Sequence, residues 1–217
     1  MFITFEGGEG SGKTTHMAKL AERLREQGYS VRTTQDPGGA EISIRLRPLL
    51  LDISYEISRE AEFLLYLAAR AELVDKIIKP CMKEVPLDFI LCDRFYDSTA
   101  VYQGVIRGWD KVIACDHCQS KGIVEDMHRL FSHDIQPDYT FLFDVNPVLG
   151  LNRSLGEEKD ESRWEEEGLA IHAKINNAFM DLAEMYEDRF LIIDANEELD
   201  DVYRELEATF KREILNV

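Results

Sequence analysis

The densest chemistry in the chain lies in Phe5-Glu6-Gly7-Gly8-Glu9-Gly10-Ser11-Gly12-Lys13-Thr14-Thr15. Gly7, four intervening residues and then Gly12-Lys13-Thr14 satisfy the phosphate-loop pattern, and the context it needs is present: the apolar run Phe2-Ile3-Thr4-Phe5 before it and a helical pattern from Met17 after it. Glycines let the backbone turn so that its N–H groups converge on phosphate oxygens, and the helix N-terminus adds partial positive charge. Lys13 is placed to reach the β- and γ-phosphates, and the Thr14 hydroxyl to ligate magnesium. A glycine-rich turn that merely precedes a helix would not need every fixed position filled. The stretch implies binding of a nucleoside triphosphate.

Two further groupings could extend that chemistry. Asp93-Arg94-Phe95 closes an apolar run. An acid at a strand end beside a phosphate loop can hold the magnesium shell, and an adjacent arginine can clamp a phosphate with its planar fork of donors. In isolation the pair would read as a solvated salt bridge; its position at a strand end favours a role in the site. Glu62, Tyr66 and Arg70 recur every four residues and so share one helix face. An aromatic ring beside a guanidinium could stack on a base and bond its edge. The same spacing is also that of a core face with a surface charge.

The elements that must carry these residues follow from periodicity and turn signals. The spacing predicts a helix from the phosphate loop to about Gln27, stopped by Gly28, and a β-branched strand over Tyr29–Thr34. Asp36-Pro37-Gly38-Gly39 breaks that strand; a short helix (Ile42–Leu51) and a long amphipathic one (about Ser58–Lys83) come next. Phe89-Ile90-Leu91-Cys92 reads as a strand buried on both faces. Helices are expected from near Ser98, over Ile123–Phe131, from Pro147, over Glu165–Glu187 and from Leu199, with strands at Tyr139–Val145 and Phe190–Ile193. Alternation of strand and helix implies an α/β fold, a mainly parallel five-stranded sheet with helices on both faces. Ligands then bind beyond the carboxyl ends of the strands, which gathers Gly7–Thr15, Asp36-Pro37, Asp93-Arg94 and Asp194 on one rim.

Composition narrows the partners. A formal net charge of −17 argues against a nucleic-acid polymer, which requires a basic face, but not against a free nucleotide at a locally basic site. No apolar run reaches membrane-spanning length and no signal-peptide layout opens the chain. Cys81 and Cys92 sit in apolar or helical settings that suit reduced thiols, so a cytoplasmic location is expected. At 217 residues, with no linker or internal repeat, residues 1–217 are expected to form one domain.

Taken together, the motifs resemble the thymidylate kinases. Phe5-Glu6-Gly7 with Lys13-Thr14-Thr15, Asp36-Pro37-Gly38-Gly39, Arg47 with Leu49-Leu50-Leu51, and Ala68-Ala69-Arg70 carry the resemblance. Asp93-Arg94-Phe95, Ser98-Thr99, Tyr102-Gln103-Gly104, Pro137-Asp138, Asp144-Val145 and Ile193-Asp194-Ala195 extend it in the same order over nearly the whole chain. The resemblance implies transfer of the γ-phosphoryl group of ATP to thymidine monophosphate, with Mg2+. It implies that Glu9 approaches the acceptor's deoxyribose 3′-hydroxyl, that Arg94 clamps the acceptor phosphate, that Tyr66 lies against thymine and that Arg70 bonds the base edge. Arg47, Thr99, Tyr102 and Gln103 complete the acceptor pocket, Asp36-Pro37 forms the turn beneath its phosphate with a cis peptide, and Ala195 and Asn196 cradle adenine. Asp93 and Thr14 are the implied metal contacts. A short lid over about 153–165 would bring a cation onto the phosphates, with Arg153, Lys159 and Arg163 available and Arg153 and Arg163 the candidates for catalysis. A homodimer through the long helices is implied too.

The chain departs from the family pattern in places. Gln35 and Asp36 stand where an arginine and a glutamate are usual, Ala100 replaces a polar residue near the base, and the lid is acid-rich. The segment after Trp109 is longer than usual, a possible insert over about 110–122, and holds Cys115-Asp116-His117-Cys118 with His128 and His133 beyond; this reads as a weak zinc pattern or as inert thiols. His16 and His172 read as structural. A kinase for another nucleoside or nucleotide acceptor, and a nucleotide-binding module with weakened transfer activity, remain open at this level.

Overall fold

The computed structural model describes residues 1–52, 54–83, 87–109, 122–155 and 168–216. Lys159, Arg163, Cys115, His117 and Cys118 lie outside them, as do most of the expected lid and insert.

Strand β1 (Phe2–Glu6) is buried along its whole length and sits at the centre of the sheet. Because side chains alternate along a strand, Ile3 and Phe5 enter one layer while Phe2, Thr4 and Glu6 enter the other. Helix α1 (Lys13–Glu26) returns to β2 (Val31–Gln35). Gly28 (φ 92) ends α1 as expected, and the Tyr29 amide still bonds back to the Leu24 carbonyl at 3.1 Å, which delays the strand by two residues. Helix α2 (Glu41–Leu51) is followed by α3 (Arg59–Leu73), whose Ser58 side chain caps the first turn by accepting from the Ala61 amide.

The long helix expected to Lys83 is interrupted: a π-helical turn (Val74–Ile78) separates α3 from α4 (Lys79–Lys83). Strand β3 (Phe89–Asp93) then leads to α5 (Tyr96–Thr99), which continues as a π-helical stretch, Ala100–Ile106. Helix α6 (Ile123–Phe131), β4 (Tyr139–Asp144), α7 (Pro147–Leu155), α8 (Leu169–Met185), β5 (Phe190–Asp194) and α9 (Leu199–Phe210), which runs on into a third π-helical stretch (Lys211–Leu215), complete the order.

The sheet order is β2-β3-β1-β4-β5 and every pairing is parallel, so the expected mainly parallel sheet is entirely so. On one face Ile3, Phe5, Leu91, Phe141 and Phe143 pack against Met17, Leu20 and Leu24 of α1 and Val202, Leu206 and Phe210 of α9. On the other, Phe2, Ile90 and Cys92 meet Leu73, Val74 and Ile78, while Leu142 and Phe190 meet Val101, Ile175 and Phe179. Each such fully buried Phe or Leu contributes roughly 1.5–3 kcal/mol relative to exposure. The registers pair Gln35 and Phe5 with Asp93, and Asp144 with Asp194, so the carboxyl ends of the strands lie level and form one rim.

Candidate active site

The phosphate loop leaves β1 at that rim. Gly12 (φ 80) is the N-cap of α1 and supplies no side-chain cap, and no acid lies in the first turn. Among the described residues the first amides of the helix therefore have no side-chain cap, the condition under which a helix N-terminus can take an anion. Lys13 folds over the loop, its Nζ donating to the Gly8 carbonyl at 3.0 Å. Burial, helped by Arg94, pushes the Lys13 ammonium down to about 8, against the pull of Asp93, Glu9 and Glu6. Thr14 Oγ1 donates to Asp93 Oδ2, which ties the loop to the end of β3.

Arg94 follows that acid in a left-handed conformation (φ 65), unusual for a side-chain-bearing residue. The turn is fixed from below by Glu6. This fully buried carboxyl accepts from the Phe95 amide at 2.7 Å and from Ser98 Oγ at 2.6 Å. With its proton given to Glu6, Ser98 Oγ accepts Arg94 Nη1 at 3.0 Å. Arg94 also donates to the Gly7 carbonyl (3.1 Å) and to Glu9 Oε1 (3.2 Å), so its guanidinium lies across the mouth of the loop. Burial, then the like charge of Asp97, push Glu6 up to about 8 against Arg94, Ser98 and Phe95. Burial opposes the Glu9 charge, but His172, Arg94, Lys13 and Tyr102 outweigh it and bring that carboxyl down to about 2. Tyr102 donates its hydroxyl to Glu9 Oε1 at 2.7 Å, and His172 Nδ1 lies 3.6 Å from Glu9 Oε2.

On one side of the loop is a cavity of about 230 Å³. All nine residues expected around an acceptor line it: Asp36, Pro37, Arg47, Tyr66, Arg70, Arg94, Thr99, Tyr102 and Gln103. Glu9, Lys13, Thr14 and Asp93 line it too. The Asp36–Pro37 peptide is cis, and Arg47 Nη1 donates to the Pro37 carbonyl at 2.6 Å. Arg70 is 1% exposed; Nε bonds Asp36 Oδ2 at 2.5 Å and Nη2 bonds Thr99 Oγ1 at 2.6 Å, while Nη1 has no hydrogen-bond partner among the described residues. Burial, then the Glu62 charge, push the Tyr66 phenol up to about 12, so this ring is neutral.

On the other side of the loop lies a groove of about 350 Å³, lined by Gly10, Ser11, Gly12, Thr15, Arg153 and Ala195 among others. Ala195 is buried, and its amide bonds the Asp144 carbonyl at 2.8 Å; Asn196 holds the neighbouring turn through the Asn146 amide (2.7 Å) and Asp194 (2.6 Å). Arg153, expected as a cation for the phosphates, donates instead to the carbonyls of Ala195 (2.6 Å), Asn196 (3.2 Å) and Glu197 (3.0 Å). The reason is positional: α7 sets residue 153 beside the loop that leaves β5. Gly10 (φ 66) and Gly150 of α7 meet backbone to backbone, and a Cβ on Gly10 would lie 1.9 Å from the Gly150 carbonyl oxygen.

The chain that forms these two openings, with the phosphate loop as their shared wall, matches one family over most of its length. A family model described as thymidylate kinase matches residues 5–206. The chain belongs to the thymidylate kinase family. A thymidylate kinase of Maridesulfovibrio salexigens is 36% identical over 215 residues, covering 96% of this chain and 94% of the relative. That of Chlamydia muridarum is 40% identical over 195 residues, covering 90% and 91%. The crystal structure of thymidylate kinase from Ehrlichia chaffeensis superposes with a TM-score of 0.70 at 30% identity, covering 97% of this chain and 98% of that one.

Within this thymidylate kinase family fold, the partners of four side chains went unforeseen: Glu6 and Ser98 stand behind Arg94, His172, read as structural, lies against Glu9, and Glu62, read on one face with Tyr66 and Arg70, stands behind Gln103. Their signal was present only as membership of a motif or helix face; what each touches depends on approaches across 40 to 90 residues or more of sequence. His16, also read as structural, bridges the Gly12 carbonyl (2.8 Å) and the Leu199 carbonyl (3.1 Å). Among the described residues no group of three metal-ligating side chains gathers. No helix among them is long and apolar enough to cross a membrane.

Proposed function

We propose that this chain transfers the γ-phosphoryl group of ATP to thymidine monophosphate, giving thymidine diphosphate. The observation that carries the reading is the phosphate loop standing as a shared wall between a groove and a second cavity, with Arg94 across its mouth. A phosphate-loop switch or motor has no use for the second opening. ATP lies in the groove, its adenine beside Ala195 and Asn196 and its phosphates on Gly7–Thr15. The acceptor lies in the cavity, its phosphate near Arg47 and Arg94 above the Asp36-Pro37 turn, its sugar near Glu9 and Tyr102, and its base among Tyr66, Arg70, Thr99 and Gln103.

Phosphoryl transfer needs positioning and charge neutralisation rather than covalent help. Lys13 neutralises the β- and γ-phosphates; Arg94, held by Gly7, Ser98 and Glu9, takes the charge that develops between the two nucleotides. The donor set suits magnesium, since Thr14 gives its proton to Asp93 and keeps oxygen lone pairs for a hard cation. When bound, Mg2+ draws charge from the β- and γ-oxygens. The orphan Nη1 of Arg70 is the donor that a base carbonyl would satisfy. Arg163 is the remaining candidate for a closing cation of the lid, because Arg153 is engaged at the adenine side.

The same reading takes residues 1–217 as one kinase unit with a lid over about 153–165, working in the cytoplasm as a homodimer. The free thiols of Cys81 and Cys92 support the location, and Leu64, 61% exposed on α3, supports helix-to-helix pairing. The test is ADP production from ATP and Mg2+ with each nucleoside monophosphate offered in turn. Turnover with thymidine monophosphate well above all others is expected; best turnover with another acceptor overturns the base assignment, and ATP binding without acceptor-dependent turnover overturns the kinase.

A further inference from the structure

Glu62 shares a face of α3 with Tyr66 and Arg70 but does not line the cavity. It is 3% exposed, and its Oε1 accepts from Gln103 Nε2 at 2.9 Å. Arg107 closes the other side, with Nη2 at 3.4 Å from Oε2 and Nε at 3.5 Å from Oε1. A carboxylate has only acceptors to offer, so it binds the nitrogen end of a carboxamide and rejects the oxygen end. Gln103 lines the cavity, and among the described residues no donor reaches its Oε1. With the nitrogen committed to Glu62, oxygen is the end left for a ligand.

We propose that Glu62 is a positioning residue for base selection: it locks the Gln103 carboxamide with its acceptor toward the acceptor nucleotide's base. This rests on the reading of the cavity as the monophosphate site. The cavity then presents one fixed donor, Arg70 Nη1, and one fixed acceptor, Gln103 Oε1. A 4-oxopyrimidine such as thymine carries a ring N–H beside a carbonyl and matches that pair. Cytosine carries a bare ring nitrogen beside an amine, and meets lone pair with lone pair and donor with donor. A free glutamine could turn over and present Nε2 to cytosine; one held by Glu62 cannot. The selectivity therefore originates in a side chain that never touches the base.

The experiment compares kcat/KM for thymidine and deoxycytidine monophosphates in the wild type, Glu62→Gln, Gln103→Leu and the double variant. A carboxamide at position 62 pairs with either end of Gln103, so the orientation is released while shape is kept. The thymidine-to-cytidine ratio is expected to fall roughly tenfold in Glu62→Gln and in Gln103→Leu, the scale of one mispaired buried polar group. In the Gln103→Leu background Glu62→Gln is expected to change the ratio no further, and KM for ATP to stay put throughout. A wild type that turns over neither monophosphate removes the monophosphate-site reading itself, and one that turns over both without preference overturns this proposal, since Glu62 then has no selection to set. A selective wild type whose ratio survives Glu62→Gln overturns this proposal alone, as does a fall that persists without Gln103 or an equal loss with both acceptors. Should Glu62→Gln not fold, Gln103→Leu decides: an unchanged ratio there leaves Glu62 nothing to set.

Discussion

At Lys13 burial and the charge of Arg94 pull against the nearby carboxylates and prevail, bringing the ammonium down to about 8. On the proposed reading, the protonated side chain holds phosphate below that pH, and above it the neutral amine loses the charge-assisted bond. Because kcat/KM reports the free enzyme, kcat/KM for ATP is expected to fall tenfold per pH unit above about pH 8. Lys13→Arg keeps its charge through that range, so this limb should vanish although the rate drops. A wild-type profile flat to about pH 9.5 would contradict the assignment. Glu9, brought down to about 2, adds no limb near neutrality. Residue types were legible in the sequence because chemistry restricts them: such a loop takes lysine at position 13 and serine or threonine at position 14. Partners were not. Asp36 reads as a shortened glutamate facing a phosphate, yet its carboxylate meets Arg70, 34 residues away, and Arg153 reads as a phosphate cation yet holds three backbone carbonyls.

The elements were legible wherever a local period decided them. β1, β3 and β4 are continuous apolar runs, and α6 was expected over the residues it occupies. The π-helical turns at Val74–Ile78 and Ala100–Ile106 were not, since an i+5 bond leaves the hydrophobic pattern almost unchanged. Nor was the clamp that joins α5 to the β4–β5 edge. Arg189 grips buried Asp97 with two bonds of 2.8 Å each and adds Thr140 Oγ1 at 2.5 Å, its guanidinium lying 4.6 Å from the Phe190 ring centre. Removing one partner of a buried pair leaves the other charged and unpaired, at a cost of about 3–5 kcal/mol. Arg189→Met is therefore expected to lower the free energy of unfolding by that much. Replacing both partners, Arg189→Met with Asp97→Leu, should recover a large part of it; equal loss in the single and double variants, measured by urea denaturation, would show that packing rather than charge is at stake.

For the molecule as a whole, the formal charge of −17 surrounds a site that must admit two polyanions. Lys13, Arg47, Arg70 and Arg94 make the cavity locally basic, but an approaching nucleotide first crosses a repulsive field. Salt screens that field more than it screens contacts inside the site, so the association rate of the acceptor is expected to rise roughly twofold to threefold between low and physiological ionic strength. A rate that falls with salt in stopped-flow binding would mean that the basic cavity governs the approach instead. The fold was legible at this scale because strand–helix alternation leaves few topologies, and the rule that ligands gather at the carboxyl rim correctly brought together segments as distant as Gly7 and Asp93. The width of the openings was beyond it, since that depends on close approaches such as Gly10 against Gly150. There each backbone occupies the volume where the other's side chain would be: a Cβ on Gly10 falls 1.9 Å from the Gly150 carbonyl oxygen, and one on Gly150 falls 2.6 Å from the Glu9 carbonyl oxygen. Neither position can drift alone, because any first substitution, however small, pushes the nucleotide loop off the helix that follows β4. Two changes made together fare no better, as both add bulk to the same gap. For an evolving lineage this contact is a dead end in sequence space, and variation in α7 must be accommodated further along the chain than residue 150.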